Sequence, residues 1–218
     1  MVENKEESLL PKNRIEALCD AIFAIAMTLI ILDLKTPENI PSNIIEEELP
    51  KILVDLIPEM EAYAISFIIL AIFWLRHLFH FKYLENVNRR IITLNIIFLM
   101  FIGFIPFSVG FMMRYNSHHL PFVVYIVNLL ILSIILFYHW RYISGRDKNY
   151  FKTETDTTYF EKYKIISSIP VIIFSISLIV SFFNLRLAFL IIYLDPVLYI
   201  FYRYIIKTFF LKPVKNVE

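Results

Sequence analysis

Arg14-Ile-Glu-Ala-Leu-Cys-Asp20-Ala-Ile-Phe-Ala-Ile25-Ala-Met-Thr28-Leu-Ile-Ile-Leu32 is the stretch whose reading decides the fold. It opens on a cation, carries carboxylates at Glu16 and Asp20, and then turns apolar with a single hydroxyl. A run of about 20 apolar residues crosses a bilayer as a helix. Charges near the start of such a run are costly and call for partners. The residues alone admit two readings: an ordinary first membrane helix with charged ends, or the lining helix of an ion pore.

The rest of the chain agrees with a membrane setting. Hydrophobic residues make up 58% of the 218, charged residues 19%, and there are 3 glycines. Mean hydropathy is +0.64. A soluble domain is usually nearer half apolar and a quarter charged. The apolar blocks follow one another without a soluble segment between them, so the whole of 1–218 reads as one transmembrane domain. A net charge of +1 argues against a nucleic-acid partner. One cysteine, Cys19, excludes an intrachain disulfide framework and any multi-cysteine metal site. The start does not resemble a cleaved signal: Glu3, Glu6 and Glu7 precede the apolar run, and the Ala24-Ile-Ala26 mimic of a cleavage site lies inside it.

Hydropathy predicts an all-α protein with six spans, at about 15–34, 60–81, 91–113, 121–143, 165–183 and 187–206. An acidic loop with Pro37, Pro41 and Glu46-Glu-Glu48 follows the first span. An amphipathic piece, 49–57, is expected to lie at the interface or to extend the second helix. The charged connection 144–164 is the longest segment outside the membrane, and a basic tail closes the chain. The runs are continuous rather than alternating, which excludes a transmembrane barrel. No internal copy of the opening stretch occurs, so any symmetry must come from oligomerisation.

With the N-terminus in the cytoplasm, seventeen of the 21 Lys and Arg fall on the inner side and four (Lys35, Lys51, Arg114, Arg186) on the outer. The positive-inside rule therefore places both termini in the cytoplasm. Tyr83, Tyr138, Trp140 and Tyr142 fall at span ends, as interfacial aromatics do.

On a helical wheel, Arg14, Ala21, Ile25, Thr28 and Leu32 share one face, flanked by Ala17 and Ala24, with Asp20 at its edge. Small residues allow close helix packing in lipid, which competes with pore lining as an explanation. A lone Thr in a span commonly bonds its own helix, which competes with any selectivity role for Thr28. Arg14 and Asp20 point some 120° apart and are expected to find partners on neighbouring helices; headgroup snorkelling is the alternative for Arg14. Tyr63, Ser66, Leu70, Trp74 and His77 share a face of the second span, with Trp74 and His77 level with Asp20. An interfacial histidine beside Arg76 and His80 is the plain alternative for His77. In the third span Asn95 shares a face with Pro106, which frees a carbonyl. Asp195-Pro196 is a buried acid beside a helix breaker, a weak hint of an ion-linked site, and His139 and Arg141 read as interfacial.

Several signatures are missing. There is no Thr-Val-Gly-Tyr-Gly filter, no arginine-repeat voltage sensor, and no P-loop or His-Glu-x-x-His motif. His118-His119 has no further ligand nearby, so no metal site is expected. No nucleophile–base pair can be assembled, so an enzyme is not expected.

The motif residues do resemble a known family. Arg14-x-x-x-Leu18-Cys19-Asp20, followed by Ile25 and Thr28, is similar to the Arg-x-x-x-Phe-Ser-Asp signature of the transmembrane protein 175 family of endosomal and lysosomal potassium channels and their prokaryotic relatives. Tyr63-x-x-Ser66-Phe67, Phe73-Trp74-x-x-His77, and Leu94-Asn95 with Pro106-Phe107 extend the likeness through the third span; the second half matches only in span number and hydropathy. The resemblance implies a potassium-preferring, multi-pass channel of the cell membrane. It would be a homotetramer of six-span chains around a pore lined by the first helix, with no carbonyl filter and no cofactor. It makes Ile25 the narrow apolar constriction, Leu29 and Leu32 further apolar rings, and Thr28 the hydroxyl ring linked to potassium preference. Arg14, Asp20, Trp74, His77 and Asn95 match the polar cluster that holds the first helix. Leu18 and Cys19 depart from the signature, replacing a Ser hydrogen bond with a weaker thiol. The rival reading is a small proton- or cation-coupled transporter using Asp20, His77 and Asp195, although its spans are poor in the Gly and Pro breaks that transporters favour.

Overall fold

The first helix is short of partners on one side and dense with them on the other, and the remaining helices stack outward from its dense side. The computed structural model describes residues 12–34, 45–82, 84, 87–116, 118–144 and 157–209. These form α1 (Lys12–Leu29), a 3-10 turn (Ile30–Asp33), α2 (Ile45–Asp55), α3 (Ile57–Lys82), α4 (Arg89–Arg114), α5 (His119–Ser144), α6 (Thr157–Ser181), α7 (Leu185–Ile192) and α8 (Leu194–Phe209). Among the described residues, six segments are long and apolar enough to cross a membrane: Lys12–Asp33, Glu48–Lys82, Arg89–Arg114, His119–Ser144, Tyr163–Ser181 and Leu185–Tyr202. The six expected spans correspond to these one for one.

Helix α1 packs on α3 and α4, α4 on α5, α5 on α6, and α6 on α7. The main core joins Cys19, Phe23, Ala26 and Ile30 to Ile69, Phe73, Phe98 and Ile102, and continues into α5, α6 and α7. A second core of Phe81, Leu84, Val87, Ile91, Trp140, Ile143 and Tyr163 closes the end where α3 turns into α4. There Lys12 Nζ donates to the Leu84 carbonyl (3.1 Å) and pairs with Glu16 (3.3 Å), tying the start of α1 to that turn. Asn88 caps α4, accepting from the Ile91 amide at 3.0 Å, and Asn184 caps α7, accepting from the Leu187 amide at 3.0 Å. Both satisfy orphan first-turn amides. At the far end of α1, Gly110 of α4 is so close to the Asp33 carboxylate that a Cβ there would collide with it.

Two expectations change, and one alternative is resolved. The sixth span is not one helix but two, α7 and α8, interrupted at Tyr193. Pro196 has no amide to return to the Ile192 carbonyl and its ring crowds that residue, so the break falls one turn before it. The helix of the fifth span, α6, starts at Thr157, inside the stretch expected to be connection, and ends at Ser181 rather than 183. The amphipathic piece is helix α2, joined to α3 through a turn at Leu56, so it extends the second span. Together Glu48–Lys82 is 35 residues, about 52 Å if straight, well beyond a 30 Å hydrocarbon layer. Pro106 stays inside an unbroken α4. Pro37, Pro41, most of the 144–164 connection and the tail after 209 lie outside the described residues.

Candidate functional site

Helix α1 has two unlike faces. Cys19, Phe23, Ala26 and Ile30 recur at spacings of four, three and four, and all are buried. Arg14, Ala17, Ala21, Ala24, Ile25, Thr28, Leu29 and Leu32 are all exposed, forming a continuous strip that no other described part of the chain covers. The wheel face from Arg14 to Leu32 is this strip. Ile25 is 57% exposed, Leu29 42% and Leu32 67%, so the apolar side chains project away from the bundle. Thr28 Oγ1 donates back to the carbonyls of Ala24 (3.0 Å) and Ile25 (2.9 Å). Its hydrogen is used within the helix, and its lone pairs remain as acceptors on the uncovered strip.

The buried face is held by polar bonds as well as packing. Trp74 Nε1 of α3 donates to Asp20 Oδ1 at 2.8 Å. His77 Nε2 lies 2.7 Å from Asn95 Oδ1 of α4, and because a carbonyl oxygen only accepts, the imidazole donates. Asn95 Nδ2 in turn donates to Cys19 Sγ at 3.2 Å, and the thiol faces Asn95 Oδ1 and His77 Nε2 at 3.5 Å each. The His77 ring stacks on Phe81 (4.4 Å) and Phe98 (5.7 Å). Cys19 is thus the hub that joins α1, α3 and α4 where the signature has Ser. The structure brings Asp20, Trp74, His77 and Asn95 together around it. It does not bring Arg14, which is exposed and makes no hydrogen bond or ion pair among the described residues.

Other polar pairs were not foreseen. Arg76 Nη2 and Nη1 donate to Asp195 Oδ1 (2.8 Å) and Oδ2 (3.2 Å), a two-pronged ion pair with Asp195 wholly buried. Arg76 thus lies inside the second span with its charge paired, and Asp195 is engaged rather than open to an ion. His80 and His139 face each other through their Nδ1 atoms at 3.1 Å, both buried, so His139 is an interior residue and not an interfacial one. Tyr125 and Ser66 share a hydrogen bond at 3.0 Å. The signal for the ion pair was present: Arg76 and Asp195 are opposite charges inside apolar runs, and pairing is the usual outcome for such groups. His119 Nε2 meets Ser181 Oγ at 3.0 Å, and its ring packs on Phe182. Among the described residues, no three His, Cys, Asp or Glu side chains converge as metal ligands do.

The profile of the family described as endosomal/lysosomal potassium channel TMEM175 matches residues 14–106. A potassium channel of Chamaesiphon minutus is 30% identical over 152 residues, covering 68% of this chain and 72% of the relative. One from Streptomyces collinus is 28% identical over 135 residues, 60% of this chain and 64% of the relative. The endosomal/lysosomal proton channel TMEM175 of Gallus gallus is 34% identical over 104 residues, 45% of this chain and 21% of that longer protein. The crystal structure of a lysosomal potassium-selective channel TMEM175 homolog from Chamaesiphon minutus superposes with a TM-score of 0.76 at 22% identity, covering 88% of this chain and 97% of that one. The likeness to it is one of fold.

Proposed function

This chain belongs to the endosomal/lysosomal potassium channel TMEM175 family, and on that premise we propose that it forms a potassium-preferring channel of the cell membrane, four copies surrounding a pore lined by α1. The observation that carries the reading is the uncovered strip of α1. A span fixed on one face by Asp20, Cys19 and Phe23, and bare on the other, fits a helix whose second face meets other copies and the ions.

In this arrangement both termini are cytoplasmic and the charged start of α1 faces the cytoplasm. A ring of four Ile25 side chains narrows the pore and closes it by excluding water. Leu29 and Leu32 add apolar rings beyond it. The Thr28 ring offers hydroxyl oxygens to a partly dehydrated cation, so selectivity rests on diameter and one layer of hydroxyls rather than on a carbonyl filter. Potassium is the permeant ion, and neither a cofactor nor a bound metal takes part. Arg14, at the pore mouth, adjusts the local potential, while Asp20, Trp74, His77 and Asn95 hold the helix. An ion-channel family is not an enzyme class. The transporter alternative loses a central group, because Asp195 is already neutralised by Arg76.

Liposomes loaded with potassium test the reading. Purified protein should pass potassium down its gradient with no coupling ion, and Ile25→Ala should raise the flux at least tenfold. Flux that requires a proton or sodium gradient, or that ignores Ile25, overturns it.

A further inference from the structure

One turn of α3 touches nearly every helix that matters to α1. Within five residues, Phe73 meets Phe98 of α4 and Phe174 of α6, each with ring centres 6.4 Å apart. Trp74 donates to Asp20 of α1. Arg76 grips Asp195 of α8, and His77 holds Asn95 and lies beside Cys19. The Arg76 guanidinium is further bracketed by Phe73 (6.0 Å) and by Tyr199 of α8 (5.4 Å). Asp195 sits in the first turn after the break at Tyr193, where the helix loses the rigidity of a continuous backbone ladder. A second bond ties the break itself to α3: the Tyr193 hydroxyl donates to Glu61.

We propose that Arg76 and Asp195 are a positioning pair that sets the register of this α3 turn, and so fixes how tightly the Cys19–His77–Asn95 anchor holds α1. The pair is neutral as a unit and buried, with Asp195 wholly enclosed and Arg76 8% exposed, so it cannot serve as an ion-binding group while it persists. Its two prongs fix both the height and the rotation of Arg76, as a paired guanidinium and carboxylate do. Rotation of α3 at residue 76 is rotation at residues 74 and 77, because they belong to the same helical turn. Displacement of α8 about Tyr193 is therefore transmitted to α1 through α3, and the sixth span becomes a control element for the first. This rests on the channel reading for its consequence in conduction, but not for the mechanical linkage itself.

Cys19 offers a readout that does not depend on conduction, since it is the chain's one cysteine and is 1% exposed. In the full-length protein in detergent micelles, maleimide labelling of Cys19 reports how firmly the anchor is closed. Arg76→Met combined with Asp195→Leu removes both charges and leaves neither buried alone, which a single substitution would do. The double variant should label at least tenfold faster than wild type, whereas Asp195→Glu, which keeps the pair, should label within twofold of it. Ser177→Ala removes the 2.7 Å bond to the Ala188 carbonyl between α6 and α7, and it serves as the control for general loosening. Labelling of the double variant within twofold of wild type overturns the proposal, and so does equal acceleration in Ser177→Ala. If the double variant does not fold, Arg76→Lys, which keeps the charge pair but gives up the two-pronged fork, is read in the same way against the same control. Potassium flux in liposomes, measured on the same samples, should change with labelling. Fast labelling of the double variant in a protein whose wild type passes no potassium supports the linkage while refuting the channel reading.

Discussion

The two faces of α1 are built from similar residues and held by very different means. Ala26 and Ile30 on one side are as apolar as Ala21 and Ile25 on the other, yet the first pair is buried and the second is bare. The difference lies in what stands beside them. The buried face has Phe23 against Phe98 (5.9 Å), and Cys19 and Asp20 with named partners on α3 and α4. The bare face has a hydroxyl bonded only to its own helix and a cation with no described partner. Hydrophobicity cannot tell the faces apart in lipid, where chain and solvent are equally apolar. Close packing and interhelical polar bonds do so instead.

The sharpest way to break this comparison is to empty the buried face. Phe23→Ala leaves a cavity among Phe98, His77 and the rest of the main core, and should cost about 3–5 kcal/mol. Thermal melting in detergent should fall steeply, and Cys19 should become reactive. The same truncation on the bare face, Ile25→Ala, should leave melting nearly unchanged while flux rises. If both substitutions destabilise alike, the faces are not distinct in kind.

The polar anchor comes next in size. Asp20→Asn keeps the shape but gives up the charge that strengthens the bond from Trp74, and bonds to charged groups contribute about 1.5–3 kcal/mol. A moderate drop in melting temperature with smaller potassium flux per molecule is the expected result. Normal flux and normal stability would make the 2.8 Å Trp74–Asp20 bond incidental. Asn95→Ala removes the amide contacts to Cys19 and the acceptor for His77, and should lower the melting temperature by a similar amount.

Much of the contrast between the faces could be read from residues, and its limits are instructive. Spacings of three and four fix which side chains of a single helix share a face, so the strip through Ile25 and Thr28 emerged from the wheel. The levels of Trp74 and His77 could be matched to Asp20 because spans cross a layer of known thickness. What failed was anything set between distant spans. Arg76 reads only as one more inner-side cation within the second span because a run is scored without its neighbours, and Asp195 reads as a hint of an ion-linked site for the same reason. The break at Tyr193 was hidden because hydropathy is blind to backbone hydrogen bonds, although Pro196 marked it. His139 was placed at the interface by its position near a run's end, whereas its burial depends on His80 of α3 packing against α5.

The smallest expected effect is also the most discriminating for the bare face. Thr28→Val keeps size and branching but deletes the oxygen. On a face that only meets lipid, the change should be neutral or slightly stabilising, because the hydroxyl already spends its hydrogen on Ala24 and Ile25 and gives up nothing between helices. On a face that meets ions, the lone pairs are the part that acts, and their removal takes a whole ring of four oxygens from the pore at once. The potassium-to-sodium permeability ratio, read from the reversal potential under bi-ionic conditions, should then fall about twofold to fivefold while melting stays within a degree or two. A ratio of permeabilities isolates this, since expression, channel number and open fraction cancel from it. Thr28→Ser should retain the wild-type ratio, because it keeps the oxygen and loses only a methyl group. If Val and Ser behave alike, selectivity follows from pore diameter at Ile25, and the hydroxyl on the bare face does no more than bend its own helix.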